Sequence, residues 1–299
     1  MLNPDALPAD HRSGYVALVG KPNVGKSTLL NALLGRKLSI VTRKPQTTRH
    51  RILGILSEEA HQIIFLDTPG IIKPRYALHK RMMHSVQHAV SDADLLVFLA
   101  DATRDTPDTF SLDQIGNRPA ILALNKMDRI QTEQALPLVT QYTDLRAFEE
   151  VIPISALRGD NLDVLRTQII ERLPLGPPFY PKDQISEHPE RFFVAEIVRE
   201  KIFEHYAQEI PYSTQVNIVA FEEREGEKDF IDAEIVVERA SQKGILIGKQ
   251  GRALKRIGRA ARADIEAFLQ KAVYLQLFVK VRGDWRNRDT LLRSYGYDE

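Results

Sequence analysis

The sequence has no cysteine, which excludes a disulfide framework, a thiolate metal centre and a cysteine nucleophile together. Net charge is almost absent too. Lys and Arg number 41 against 40 Asp and Glu, a formal +1, so the average gives no sign of an anionic partner. No apolar run approaches the roughly 18 residues that cross a bilayer. Residues 1–11 carry Asp5 and Asp10 and lack a basic start before an apolar stretch, so no secretory leader is expected. What is present is 299 residues, 43% hydrophobic and 27% charged, enough for two modest cores. The expectation is a soluble, cytoplasmic chain of two domains, at most peripheral to a membrane.

From Tyr15 to Leu173 short apolar runs alternate with longer helical stretches, the rhythm of a parallel sheet with crossover helices. The runs are Tyr15–Val19, Arg51–Leu56, Gln62–Leu66, Leu95–Ala100, Ala120–Leu124 and Val151–Ile154. Only a short polar turn separates the second from the third, so these two are expected to pair antiparallel and to make the sheet mixed. Pro174, Gly176, Pro177, Pro178 and Pro181 then read as an extended linker. The expected organisation is an N-terminal extension (1–13), a first domain (14–174) of the α/β type, a proline-rich linker (175–189) and a second domain (190–299). That second domain reads as a helix over Glu190–Glu209 with Phe193, Ile197 and Ile202 on one face, then strands Thr214–Glu222 and Lys228–Glu238 around a Glu225-Gly226 turn. Helical pieces on either side of Gly248–Gly251 and a last strand, Val273–Val281, complete an α-β-β-α-α-β order.

Gly20-Lys21-Pro22-Asn23-Val24-Gly25-Lys26-Ser27 fits G-x-x-x-x-G-K-[ST] between a strand and a helical stretch that begins with Thr28. Glycines let backbone N–H groups turn toward phosphates, Lys26 suits the β- and γ-phosphate oxygens, and the Ser27 hydroxyl suits Mg²⁺. Asp67-Thr68-Pro69-Gly70 follows the third strand, where Asp67 can hold Mg²⁺ through water and the Gly70 N–H can reach a γ-phosphate. Asn125-Lys126-Met127-Asp128 ends the fifth strand. The Asp128 carboxylate offers two acceptors to the N1–H and N2 amino donors of guanine, a donor pair adenine lacks. The Lys126 stem can cover the base, and Ser155-Ala156-Leu157 can supply a backbone N–H to the guanine carbonyl. The nucleotide is therefore GTP or GDP, with ATP excluded.

These motifs resemble the translation-factor-like family of Ras-fold P-loop GTPases. The resemblance makes Gln46-Thr47-Thr48-Arg49-His50 the switch I segment and Thr48 the second hydroxyl on Mg²⁺. Ile71 stands where Ras-type enzymes carry the glutamine that orients water, and a side chain without a polar atom cannot do that. The resemblance points to a subgroup in which electrostatics replaces that glutamine, together with Lys26, Thr48 and Gly70. Two sources of charge are open: K⁺ held near Asn23, which otherwise only shapes the loop, or one of Arg43, Arg49 and Arg51 acting in cis.

In the second domain Ile247-Gly248-Lys249-Gln250-Gly251 is a G-x-x-G loop between helices, and with the element order it resembles a type II KH domain. Lys243–Arg262 contains no acid, and Arg252, Lys255, Arg256 and Arg259 recur at i, i+3, i+4 and i+7, one basic stripe beside the loop. A KH cleft takes about four nucleotides of single strand. Ile245, Ile247 and Leu254 serve either the cleft wall or the core, and Trp285, Tyr295 and Tyr297 either stack on bases or pack. The near-zero net charge hides a cancellation, because eight acids between Glu222 and Glu238 precede the stripe.

A GTPase domain followed by a KH domain, with the segments QTTRH and IGKQG, closely resembles the Era family of bacterial-type ribosome-assembly GTPases. The resemblance implies an α/β Ras-like domain and an α+β KH domain, Mg²⁺ as cofactor, the 3′ end of small-subunit ribosomal RNA and the small subunit as partners, peripheral contact with the cytoplasmic face of the cell membrane, and a monomer. A signalling or trafficking switch whose second domain binds protein is the alternative class.

Overall fold

In the computed structural model, residue 8, residues 10–42 and residues 44–297 are described. They divide into two compact units. The first holds the described residues up to Ser39 with Thr48–Lys73 and Met82–Glu187, and the second holds the described residues of 40–47, Pro74–Arg81 and the described residues from His188 onward.

The first unit is built on β1 (Arg12–Val19), α1 (Lys26–Leu34), β2 (Ile52–Ser57), β3 (His61–Asp67), α2 (Ala77–Asp92), β4 (Leu95–Asp101), α3 (Thr109–Ile115), β5 (Ala120–Asn125), α4 (Thr132–Leu145), β6 (Glu150–Pro153) and α5 (Leu162–Arg172). The residues of α2 up to Arg81 group with the second unit. The sheet order is β2-β3-β1-β4-β5-β6. Only β2 runs antiparallel, Ile52 opposite Asp67, because three residues between β2 and β3 leave room for a tight turn and none for a crossover helix. Helices cover both faces, so β1 and β3 to β5 are buried at nearly every position rather than at alternate ones. β1 begins at Arg12, three residues before the expected start, because Arg12 and Ser13 pair with His61 and Gln62 despite their polarity.

The proline-rich segment is tied down as far as Glu187. The Phe179 and Tyr180 N–H groups donate to Gln62 Oε1 at 2.7 and 2.9 Å, and the Ile55 N–H donates to the Ile185 carbonyl at 2.8 Å. Prolines remove donors, but the residues between them still satisfy theirs on this sheet edge.

The second unit contains α6 (Glu190–His205), β7 (Gln215–Glu222), β8 (Asp229–Val237), α7 (Ala240–Ile247), α8 (Arg252–Leu269), β9 (Val273–Val281) and α9 (Asp289–Ser294). Its sheet order is β7-β8-β9, antiparallel then parallel. α8 turns Ile257, Ala261 and Ile265 inward at i, i+4 and i+8. α6 ends at His205, four residues short of the expected end, and it is not the one-sided amphipathic helix its pattern suggests. Glu196, Arg199, Glu200 and Lys201 are buried as well. These charges are paired: Arg199 bonds Glu196, Glu200 accepts the Val41 N–H at 3.1 Å, and Lys201 meets Asp264 at 2.7 Å. Charged side chains bury when partners inside the same fold replace water.

Candidate functional site

The nucleotide motifs sit at the carboxyl ends of β1, β3, β5 and β6, where an open α/β sheet presents a crevice. In the loop after β1, Gly20 and Gly25 have φ of 142° and 108°. A Cβ on Gly20 would lie 2.4 Å from the Leu99 carbonyl oxygen, and one on Gly25 would lie 2.2 Å from Asn125 Nδ2. Both positions therefore demand glycine. α1 opens directly from this loop with no side-chain cap, leaving its first N–H groups for an anion.

Lys26 is buried at 6% exposure, and its Nζ donates to the Gly20 and Lys21 carbonyls at 3.0 and 2.9 Å. Burial pushes its ammonium down to about 8, against the opposing charges of Asp67 and Asp108. Ser27 Oγ donates to Asp67 Oδ2 at 2.7 Å and lies 2.9 Å from Thr48 Oγ1. Burial raises the Asp67 carboxyl above the usual range, although the Ser27 hydrogen bond and the Lys26 charge pull it down. Asp67 Oδ1 is buried and has no hydrogen-bond partner among the described residues. Two hydroxyls and a buried carboxylate with an open oxygen are hard oxygen donors of the kind Mg²⁺ takes, so these residues fit that ion.

The loop after β3 presses on the phosphate loop: a Cβ on Gly70 would lie 2.6 Å from the Pro22 backbone. Thr68 Oγ1 donates to the Leu18 carbonyl at 2.8 Å. Ile71 is 2% exposed, its side chain lies in the core, and its N–H is spent on the Gly20 carbonyl at 3.0 Å.

Asn125 joins three motifs. Its Nδ2 donates to the Val24 carbonyl at 2.7 Å, and its Oδ1 accepts the Ala156 N–H at 2.9 Å. Asp128 Oδ1 accepts from the Ser155 hydroxyl at 2.7 Å, which orients the carboxylate. Lys126 adopts φ 71°, Met127 donates its N–H to the Ile154 carbonyl at 3.2 Å, and Leu157 is 73% exposed beside them. Asn23 is exposed with φ 63°.

The expected switch I segment is divided: Thr48, Arg49 and His50 group with the first unit, Gln46 and Thr47 with the second. Within the second unit Arg199 donates to the Thr47 carbonyl, and Gln46 Oε1 lies 3.2 Å from His79 Nε2. Sequence reading missed Arg199, since an arginine inside an amphipathic pattern reads as solvated. Of the arginines considered for catalysis, Arg43 lies outside the described residues, Arg49 is buried at 3% exposure, and Arg51 pairs with Asp92 at 2.9 Å.

In the second unit Gly248, Gln250 and Gly251 have φ of 68°, 53° and 73°. A Cβ on Gly248 would lie 2.7 Å from Ala253 Cβ, whereas one on Gly251 meets nothing within 4 Å; only its backbone conformation favours glycine there. Lys249, Arg252, Lys255, Arg256 and Arg259 are exposed, and among the described residues no ion pair joins them to an acid. Three of the hairpin acids are matched within the unit instead: Asp229 with Lys271 at 2.6 Å, Glu234 with Lys280 at 3.0 Å, and Glu238 with Arg286. Trp285 is fully buried and donates its Nε1–H to the Ser213 carbonyl at 2.8 Å. Tyr297 is 4% exposed and donates its hydroxyl to Gln215 Oε1 at 2.8 Å. Both pack rather than stack on bases, while Ile245 is 51% exposed beside the G-x-x-G loop.

A phosphate loop, an aspartate-threonine-proline-glycine loop and a guanine-type acceptor on one sheet, followed by a β-α-α-β unit around G-x-x-G, define a P-loop GTPase joined to a KH module. Family models agree: one described as a 50S ribosome-binding GTPase matches residues 15–126, and one described as a KH domain matches residues 209–286. The maize protein named GTPase ERA1, chloroplastic, is 52% identical over 98% of this chain and 72% of its own length. An Arabidopsis thaliana GTPase ERA-like protein is 50% identical over 96% of this chain and 69% of its own. Crystal structures align equally far. Aquifex aeolicus Era bound to GDP·AlF4⁻ matches at TM-score 0.92 and 42% identity, covering 96% of this chain and 100% of that one. Era in complex with MgGDPNP and nucleotides 1506–1542 of 16S ribosomal RNA matches at TM-score 0.92 and 42% identity, covering 97% and 100%. The chain belongs to the Era family of GTPases.

Proposed function

We propose that this chain is a GTP-hydrolysing switch that binds small-subunit ribosomal RNA near its 3′ end through its KH unit and assists small-subunit assembly. The observation that carries the nucleotide half is Asn125, whose one amide ties the phosphate loop, the base-recognising loop and the Ser155-Ala156 turn into a single site. Lys26 and the backbone N–H groups of the 20–28 loop other than Pro22 hold the phosphates, Gly70 meets the γ-phosphate, and Asp128 and Ala156 read the guanine edge. Ser27 and Thr48, with Asp67 through water, would hold Mg²⁺, which would neutralise β- and γ-phosphate charge. Water attacks the γ-phosphorus, the bond to the β,γ-bridging oxygen breaks, and GDP and phosphate leave.

Ile71 takes no part in orienting that water, since its side chain is in the core and its N–H is already used. We assign the compensating charge to K⁺ near the exposed Asn23 side chain. Turnover several-fold faster in KCl than in NaCl, lost in Asn23→Ala, is the expected result; equal turnover in both salts refutes it.

The RNA half rests on the acid-free exposed stripe of α8 beside three positive-φ loop positions, and on the ribosomal RNA bound by the Era complex described above. Gly251→Asp places a carboxylate in open space at the loop without a clash. Lost binding of a single-stranded RNA from the 3′ end of small-subunit RNA, with GTP turnover retained, is expected. Retained RNA binding favours a switch whose second unit reads protein.

A further inference from the structure

Asp101 lies outside the nucleotide motifs, yet it ends β4 directly opposite Asn125, the residue before Lys126, in the sheet register. The Ala102 N–H donates to the Asn125 carbonyl at 2.8 Å, so the tips of the two strands are locked together. Asp101 Oδ1 accepts the Thr103 N–H at 3.0 Å and the Thr103 hydroxyl at 2.7 Å, an Asx turn that restrains the carboxylate. Its Oδ2 accepts from Lys126 Nζ at 2.6 Å. The side chains of Asp101 and Lys126 are only 10% and 20% exposed, so salt screens this pair less than a surface one. Burial would raise the Asp101 carboxyl, but the hydrogen bonds from Lys126 and Thr103 outweigh it and hold it below the usual range.

We propose that Asp101 is a positioning residue for guanine-nucleotide binding: it pins the Lys126 ammonium so that the lysine stem is already laid out where the base will stack. This rests on the nucleotide reading above, in which the Lys126 stem covers the base. Two facts make the pinning matter. A lysine stem is flexible and its ordering opposes binding unless something else has fixed it beforehand. Lys126 also sits at φ 71°, a backbone region that costs energy outside glycine and persists only where neighbours impose it. Asp101, itself fixed by Thr103, is the neighbour that acts on its side chain. It touches neither base nor phosphate in this scheme. Its other cation, Arg104 at 4.0 Å, is 75% exposed and weakly coupled through solvent, so the effect of Asp101 should run chiefly through Lys126 and fall on binding and release rather than on the chemical step.

The test is a double-mutant cycle on release of a fluorescent GDP from the full chain, with melting temperature measured alongside. Asp101→Asn, the same shape with no charge, is expected to speed GDP release by about 10-fold, the size of ordering one long side chain. Lys126→Met keeps the stem and removes the ammonium. In that background Asp101→Asn should add less than about 2-fold, because there is nothing left to pin. Thr103→Val, which loosens Asp101 but keeps the ion pair, should give a smaller acceleration that also disappears in Lys126→Met, and it serves if Asp101→Asn fails to fold. Release unchanged by Asp101→Asn, or equal acceleration with and without the lysine ammonium, overturns the inference. Wild-type chain that binds no GDP overturns the nucleotide reading instead.

Discussion

Lys26 in the first unit is almost fully buried and donates to two backbone carbonyls. Lys255 and Arg256 in the second unit are exposed on a helix face with no acid paired to them among the described residues. Both regions suit a polyanion, and the contrast shows two ways of meeting one. A nucleotide is a small, fixed target, so the first unit builds a rigid cradle from backbone N–H groups and struts such as Asn125. A single RNA strand is long and pliable, so the second unit offers exposed cations along α8 and glycine-bearing backbone at 248–251. The cradle should therefore be sensitive to single atoms and tolerant of salt, and the stripe the reverse.

The largest effect should come from breaking the cradle. Lys26→Ala is expected to lower kcat/KM for GTP by about 1,000-fold, as removal of a preorganised transition-state charge does, measured by phosphate release. Next, Asp128→Asn exchanges an acceptor for a donor and should weaken GTP by about 100-fold or more while improving xanthosine triphosphate, whose edge carries a carbonyl where guanine has an amino group; unchanged preference in a competition assay would defeat the assignment of the base edge. On the other side of the comparison, Arg252→Ala with Lys255→Ala should lower the slope of log affinity against log salt by about 1.4, if each cation meets one phosphate of a single strand, and leave GTP turnover unchanged. A salt slope equal to wild type would show that the stripe is a solvated face. The smallest effect belongs to Trp285→Phe. It leaves the Ser213 carbonyl without its 2.8 Å donor, costs about 1–2 kcal/mol, lowers the melting temperature of the second unit by a few degrees, and leaves RNA affinity untouched. Weaker RNA binding by this variant would restore Trp285 as a stacking residue.

The nucleotide loops were readable from the sequence because their chemistry is local. A phosphate loop needs its glycines and lysine at fixed spacing whatever surrounds it, and Gly20 and Gly25 indeed stand where a Cβ would collide. The sheet was readable for a similar reason: strands covered on both faces must be apolar throughout, and the short turn between β2 and β3 permits only an antiparallel pair. The basic stripe of α8 follows from helical period alone.

Other features depended on partners distant in sequence. Asp101 and Lys126 are 25 residues apart, and nothing in either neighbourhood announces the other until β4 and β5 align Asp101 with Asn125. Arg199 and Glu200 look like solvated residues of a helix, yet they are buried because residues 40–47 lie in the same unit. Trp285 and Tyr297 look like stacking residues until Ser213 and Gln215 claim their polar atoms. Spacing along the chain dictates which groups can bind phosphate or present a charged face, because those needs are met within a turn or a loop. Whether a charge is buried, which carboxylate restrains which lysine, and whether an aromatic ring is available to a ligand are settled only when folding brings distant groups together and removes the water between them.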